Sequence, residues 1–276
     1  MSKLKLIFNY INIFLKYFNI TIKRIKNSNQ EIFEGLLSVK NNLLRNQNNK
    51  LYFDFFNYLL VNIHLSSSQR FQDLFVDWML KKRNGIFIEF GACDGINISN
   101  TYYLEKYMDW TGILLEPAKS WHNEIKINRP NCIIDFRCVS NKSGDQVDFY
   151  ENKEPTLSSQ NNNFFSKNSY KVKTISLNDV VVEYAEKLLK ISNEVNSIDF
   201  ISIDTEGSEY EILKNFDFNK YAPKIVIVEH NFDPIKSKQL KKLMESHNYQ
   251  NVFPELTAYD YFFVLRDVLL KRFNEE

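Results

Sequence analysis

The sequence predicts a parallel α/β fold: a doubly wound sheet of seven core strands, the last two forming a hairpin, preceded by a helical amino-terminal extension. Three observations carry this. Six of the seven glycines, all but Gly35, lie at or after Gly85, and every proline lies at or after Pro117. Residues 1–84 therefore have apolar helical spacing and few breakers. From Gly85 onward, short apolar runs alternate with amphipathic segments, the pattern of strands joined by crossover helices. The division falls at 84/85, giving a helical extension of residues 1–84 and a second domain of residues 85–276.

Taken in order, the second domain begins with a strand at 86–90, a helix near 99–108 and a strand at 112–116. A helix at 118–128 and a strand at 132–139 follow. Gln146–Glu151 and Tyr170–Ile175 are extra strands flanking an Asn-rich stretch, Gln160–Asn163, with Phe164 and Phe165 beside it. The long polar loop this implies is either a lid over a cleft or irregular. A helix at 177–190 leads to the apolar strand Ile198–Ile203, a helix at about 208–215 and the strand Lys224–Val228. A helix at 235–247 and strands near 249–253 and 259–265 close the chain.

Lysines and arginines number 35 against 34 acids, so no global field favours nucleic acid. The charge is uneven: residues 1–30 carry Lys3, Lys5, Lys16, Lys23, Arg24 and Lys26 with no acid, which leaves the remainder net negative and without a basic groove. Lys5, Asn9, Asn12, Lys16, Asn19 and Lys23 form a polar stripe at helical spacing that interrupts any membrane-spanning run. The segment fits a helix packed on the second domain or on another subunit. The alternative, second to it, is an interfacial helix, residues 1–26, with its basic end toward anionic lipid. Cys93, Cys132 and Cys138 are odd in number and lack C-x-x-C spacing, which favours a reducing, cytoplasmic setting over disulfides or zinc.

The chemistry concentrates at strand ends. Ile-Phe-Ile-Glu-Phe-Gly-Ala-Cys-Asp-Gly, residues 86–95, is a buried run ending in a turn that carries Glu89, Gly91, Asp94 and Gly95. A carboxylate in such a turn would repel a pyrophosphate but suits a cationic ligand, so S-adenosylmethionine is favoured over a dinucleotide. Glu116 ends the next strand, where a carboxylate can grip ribose hydroxyls. Asp204 follows the strand Ile198–Ile203 and would face the same crevice, to orient the cofactor amine, bind a metal or take a proton. Glu206 and Glu209 could join it or merely stabilise the positive end of the next helix. A divalent metal, if present, would find oxygen ligands in Asp204 and Glu206. His230, after the strand Lys224–Val228, is a base by its ordinary pKa or a solvated loop histidine.

Residues 86–265 resemble the FkbM-type methyltransferases. The match is carried by Phe-Ile-Glu-Phe-Gly-Ala-Cys-Asp-Gly (87–95), Ser-Asn-Thr-Tyr-Tyr-Leu-Glu-Lys (99–106) and Trp-Thr-Gly-Ile-Leu-Leu-Glu-Pro (110–117). It is supported by residues 201–213 and by Val-Glu-His-Asn (228–231). The resemblance implies a Rossmann-like class I methyltransferase sheet with its last strand antiparallel. It also implies S-adenosylmethionine as donor and O-methylation of a sugar or glycan hydroxyl. By the same likeness Glu89, Gly91 and Asp94 hold the methionine portion, Glu116 the ribose, and Ser140 lies near the adenine. Ala92, Gly95, Asn100, Thr101, Pro117 and Asp204 complete the implied donor contacts. Many relatives place a lysine before the Asp-x-Glu-Gly block where this chain has Ser202-Ile203, which leaves acceptor choice open. A lipid, peptide or small-metabolite acceptor, or a silent binding module on the same fold, are the alternatives. Methyl transfer is an in-line displacement, so alignment supplies much of the rate. Asp204, Glu206 and His230 are the candidates for receiving the acceptor proton, Asp204 first.

Overall fold

A computed structural model describes residues 50–152, 166–189, 198–205, 207–230, 233–254, 257 and 259–274. The polar stripe of residues 5–23, the Asn-rich stretch with Phe164 and Phe165, and Glu206 lie outside the described residues. The chain divides into two compact units, Met1–His64 with Phe253–Ala258, and Leu65–Val252 with Tyr259–Glu276. In the first, helix α1 (Lys50–Asn62) buries Phe55, which stacks on Phe253 with ring centroids 5.2 Å apart.

The second unit runs α2 (Gln72–Leu80), β1 (Ile86–Phe90), α3 (Tyr102–Met108), β2 (Thr111–Leu115), α4 (His122–Asn128), β3 (Ile133–Asp135) and β4 (Cys138–Ser140). It continues with β5 (Gln146–Asn152), β6 (Ser166–Ser176), α5 (Leu177–Leu189), β7 (Phe200–Ile203), α6 (Glu209–Lys214), α7 (Phe218–Tyr221) and β8 (Ile225–Glu229). Helix α8 (Pro234–Ser246), β9 (Tyr249–Asn251), β10 (Asp260–Leu265) and α9 (Arg266–Asn274) complete it. The main sheet has seven strands in the order β3-β2-β1-β7-β8-β10-β9. β3, β2, β1, β7 and β8 are parallel, and β10 is antiparallel to both its neighbours. This is the doubly wound sheet and terminal hairpin that the sequence predicts.

The parallel strands read as unbroken apolar runs because both faces are covered; all five residues of β1 are buried. A short acidic side chain caps the start of α7 and of α8. Asp233 accepts from the N–H groups of Ile235 and Lys236 ahead of Pro234 in the first turn of α8.

Three features depart from the expected element list. The strand expected at 132–139 is two strands in different sheets. The Asp135 carboxylate, buried at the end of β3, accepts from the Arg137 amide at 2.8 Å and from the Tyr184 hydroxyl at 2.9 Å, which turns the chain at Phe136. β4 then leaves for a three-stranded sheet, β4-β6-β5. Helices α7 and α9 were not anticipated. α7 is a single turn, capped by Asp217 and held by Phe218 against Tyr249 and His247. Among the described residues, no helix is long and apolar enough to cross a membrane.

Candidate functional site

Strand order places the site. Crossovers run outward from β1 to β3 on one side and from β7 to β8 on the other, so the direction of winding reverses between β1 and β7. The carboxyl ends of those two strands open a crevice. Gly91 and Asp204 sit directly across it. Gly91 has φ +75°, and a Cβ there would lie 2.5 Å from the Asp204 carbonyl oxygen. The glycine is therefore required by two backbones that nearly touch.

Glu89, one residue before the end of β1, is buried and turned into the loop that follows. It accepts from the Ser99 hydroxyl at 3.0 Å, the Asn100 amide at 2.6 Å and the Thr101 hydroxyl. Burial pushes its carboxyl upward, opposed first by the Arg129 charge 4.0 Å away. Asn100 donates its side-chain N–H to Ser202 Oγ at 2.8 Å, while its buried Oδ1 has no hydrogen-bond partner. Asp94 accepts from the amides of Ile96 and Asn97, so its carboxylate shapes the turn. Gly95 is filled from the other side by Arg129, as described below. Burial, then the carboxylates of Glu116, Asp204, Glu89 and Asp94, push the Cys93 thiol upward and leave it inert.

Glu116 follows β2 on the same edge. Its two oxygens accept from Cys93 N at 2.9 Å and Ala118 N at 2.7 Å, tying the glycine turn to the next loop. Pro117 belongs to that loop; its carbonyl accepts from the Tyr170 hydroxyl at 3.3 Å. Tyr170 also receives the Lys119 amide and donates to Glu151, so the small sheet clamps the chain just beyond Glu116. Ser140 ends β4 in register with Ser176 of β6, six positions along that strand from Tyr170. Ala92 is buried within the turn.

Burial raises the Glu116 carboxyl to about 7 from an ordinary 4.5. The sign of its pH effect follows. In the unliganded protein this group favours folding below its unfolded value, and the benefit, up to about 3 kcal/mol, is lost as pH rises from 4.5 to about 7. A ribose diol donates to carboxylate, so cofactor affinity should run the other way and rise through pH 7. Calorimetry with S-adenosylhomocysteine at pH 6 and 8 should show several-fold tighter binding at pH 8, and Glu116→Gln should flatten the trend. A pH-independent wild type would separate Glu116 from the ribose.

On the far side of the crevice, Asp204 leads a row of acids. Ile203 is in register with Val228, and Glu229 with Asp260, so Asp204, Glu229 and Asp260 stand on three neighbouring strand ends. Asp204 keeps solvent-accessible surface yet is ringed by protein, as a group lining a cleft is. Desolvation, then the charge and hydrogen bond of Glu229, push its carboxyl well above the ordinary range. Asp260 is raised to about 7 by burial and by Asp204, while Gln72 donates to it at 3.3 Å. Glu209 accepts from the Thr205 hydroxyl and the Gly207 amide, which folds the 204–209 turn. The His230 ring packs on Tyr261 at 4.4 Å, and burial lowers its pKa, keeping it neutral. Among the described residues no group of three or more histidine, cysteine or acidic side chains could hold a metal ion.

Glu229 stands in the sequence as the polar end of an apolar strand, within Val-Glu-His-Asn (228–231), but with no role attached; Asp260, Gln72 and Arg129 give no local signal.

The edge of the crevice carries the carboxylates of Glu116 and Asp204 and an orphaned buried acceptor, Asn100 Oδ1, a lining richer in acceptors than in donors. The sheet order and a family match together give the class, an S-adenosylmethionine-dependent methyltransferase. The methyltransferase FkbM domain matches residues 89–262, and the chain belongs to that family.

No curated protein matches the chain. Among solved structures it is similar to a precorrin-6y C5,15-methyltransferase from Geobacter metallireducens (12% identity, 72% of this chain, 88% of that one, TM-score 0.37). It is also similar to a TehB-like S-adenosylmethionine-dependent methyltransferase from Corynebacterium glutamicum (8%, 76% and 95%, TM-score 0.37). A third is an O-methyltransferase from Bacillus cereus in complex with S-adenosylhomocysteine (10%, 76% and 90%, TM-score 0.35). Likeness at that level carries no weight for substrate.

Proposed function

We propose that the protein methylates a hydroxyl oxygen of a sugar or glycan. The reading is supported by Asp204, a carboxyl of raised proton affinity standing across the crevice from Gly91 and hydrogen-bonded to Glu229. S-adenosylmethionine supplies an electrophilic methyl group on a sulfonium. A sugar hydroxyl is weakly acidic, so its proton needs a recipient as the oxygen attacks. Asp204 is that recipient, and general-base help of this kind is worth on the order of 100-fold to 10,000-fold. His230, neutral and beside Tyr261, is the second candidate. Glu229 and Asp260 add acceptors for the neighbouring hydroxyls of a polyol.

The experiment is transfer of a tritiated methyl group to glycans and sugar nucleotides, run beside lipid, peptide and small-metabolite pools. Label in the carbohydrate fraction, lost in Asp204→Asn, is the expected result. Label confined to lipid or peptide would overturn the acceptor class. His230→Ala should slow transfer with S-adenosylhomocysteine affinity unchanged; full-rate transfer would remove His230 from the mechanism.

A further inference from the structure

Arg129, just beyond α4, is wholly buried. A buried guanidinium is costly unless every donor is matched, so its partners reveal its role. It donates to the Gly95 carbonyl at 2.9 Å, to Ser99 Oγ at 3.2 Å, to Thr101 Oγ1 at 3.0 Å and to the Glu105 carboxylate. All four lie on one segment, the loop between the glycine turn and α3 together with that helix's first turn. A Cβ on Gly95 would fall 2.6 Å from Arg129 Cγ, so this glycine makes room for the arginine. Ser99 and Thr101 in turn donate to Glu89, and Asn100 between them gives its amide to Glu89 and its side-chain N–H to Ser202. Asn100 Oδ1, the buried acceptor without a partner, is thereby aimed by residues that Arg129 holds.

We propose that Arg129 is the positioning residue of the donor site, fastening residues 95–105 so that Asn100 Oδ1 is presented to the ammonium of S-adenosylmethionine. The guanidinium never touches the ligand. It acts through Ser99, Thr101 and Glu89. Glu89 faces Arg129, Ser99, Asn100 and Thr101 and, across the crevice, the charge of Asp204; the Cys93 thiol is also near. Without the guanidinium, the charge that opposes burial at Glu89 is gone, its carboxyl rises further above the ordinary range, and once protonated it could no longer accept from all three partners.

The test is calorimetric titration of S-adenosylhomocysteine into the full chain, wild type, Arg129→Met and Arg129→Lys, at pH 6, 7 and 8, with thermal melts alongside. Arg129→Met should weaken binding roughly 10- to 100-fold, the worth of one hydrogen bond to a charged group. Its loss should deepen toward pH 6 more steeply than the wild-type trend. Arg129→Lys keeps the charge but not the fork, so it should recover part of the affinity and melt near the wild-type temperature. If Arg129→Met does not fold, Arg129→Lys decides: roughly tenfold weaker binding supports the assignment, and wild-type affinity overturns it. Weakening in Arg129→Met with an unchanged pH profile would mark a purely structural residue and also overturn it. Failure of the wild type to bind would instead remove the donor site itself.

Discussion

Gly91→Ala should all but abolish S-adenosylhomocysteine binding while leaving a folded protein. The residue sits at φ +75°, where an L side chain costs about 1–2 kcal/mol, and its Cβ would stand 2.5 Å from a backbone oxygen, that of Asp204. A flexible side chain could yield; a carbonyl at the end of a central strand cannot. The ends of β1 and β7 must then part, and that gap is the crevice itself. Affinity should fall roughly 100-fold, and unfolding free energy by about 2–4 kcal/mol. Gly144→Ala is the matched control. Its φ of +87° carries a similar conformational cost, but nothing lies within 4 Å of the added carbon. It should lose about 1 kcal/mol and bind normally. Equal binding by the two variants would show that the close approach at the crevice does not matter.

A comparable loss of stability is expected at the opposite end of the sheet. Asp199 is completely buried ahead of β7 and accepts from the Ile86 amide at 2.9 Å, Lys82 Nζ at 3.0 Å and Lys224 Nζ at 2.8 Å. One carboxylate thus ties the start of β1 to residues flanking α2 and β8. Asp199→Ala strands a buried amide and takes one partner from each of two lysines. The lysines keep some solvent contact, so part of the cost is recovered, leaving about 3 kcal/mol. Asp199→Asn retains an acceptor for Ile86 and should lose less. Urea melts measure both, and a shift in Asp199→Ala no larger than in Asp199→Asn would mean the hydrogen bond to the Ile86 amide contributes nothing. Affinity for S-adenosylhomocysteine should stay unchanged in both, because Asp199 lies at the far ends of the strands from Gly91.

Much of the architecture could be read from the chain because parallel strands covered on both faces are continuous apolar runs. Ile86–Phe90 and Ile225–Glu229 each lie within a residue of where the sequence puts them. The break in the strand expected at 132–139 could not be read. Phe136 and Arg137 fit an extended segment, and the turn is held by an Asp135 carboxylate shared between the nearby Arg137 amide and Tyr184 of α5, a partner far along the chain. Within the site, the acids at strand ends were visible one by one, but not their occupations. Asp94 spends its carboxylate on the amides of its own turn. Asp204 has a partner in Glu229 that lies 25 positions later in the chain.

Local pattern by itself determined the strands, the glycine turn and the order of acids along the chain, since each depends on neighbours a few residues apart. Only the packed structure decided which of those acids face one another, and that a buried arginine stands behind the turn. Carboxyl proton affinity depends on desolvation and on charges a few ångströms away, and those neighbours come from strands and helices remote in sequence.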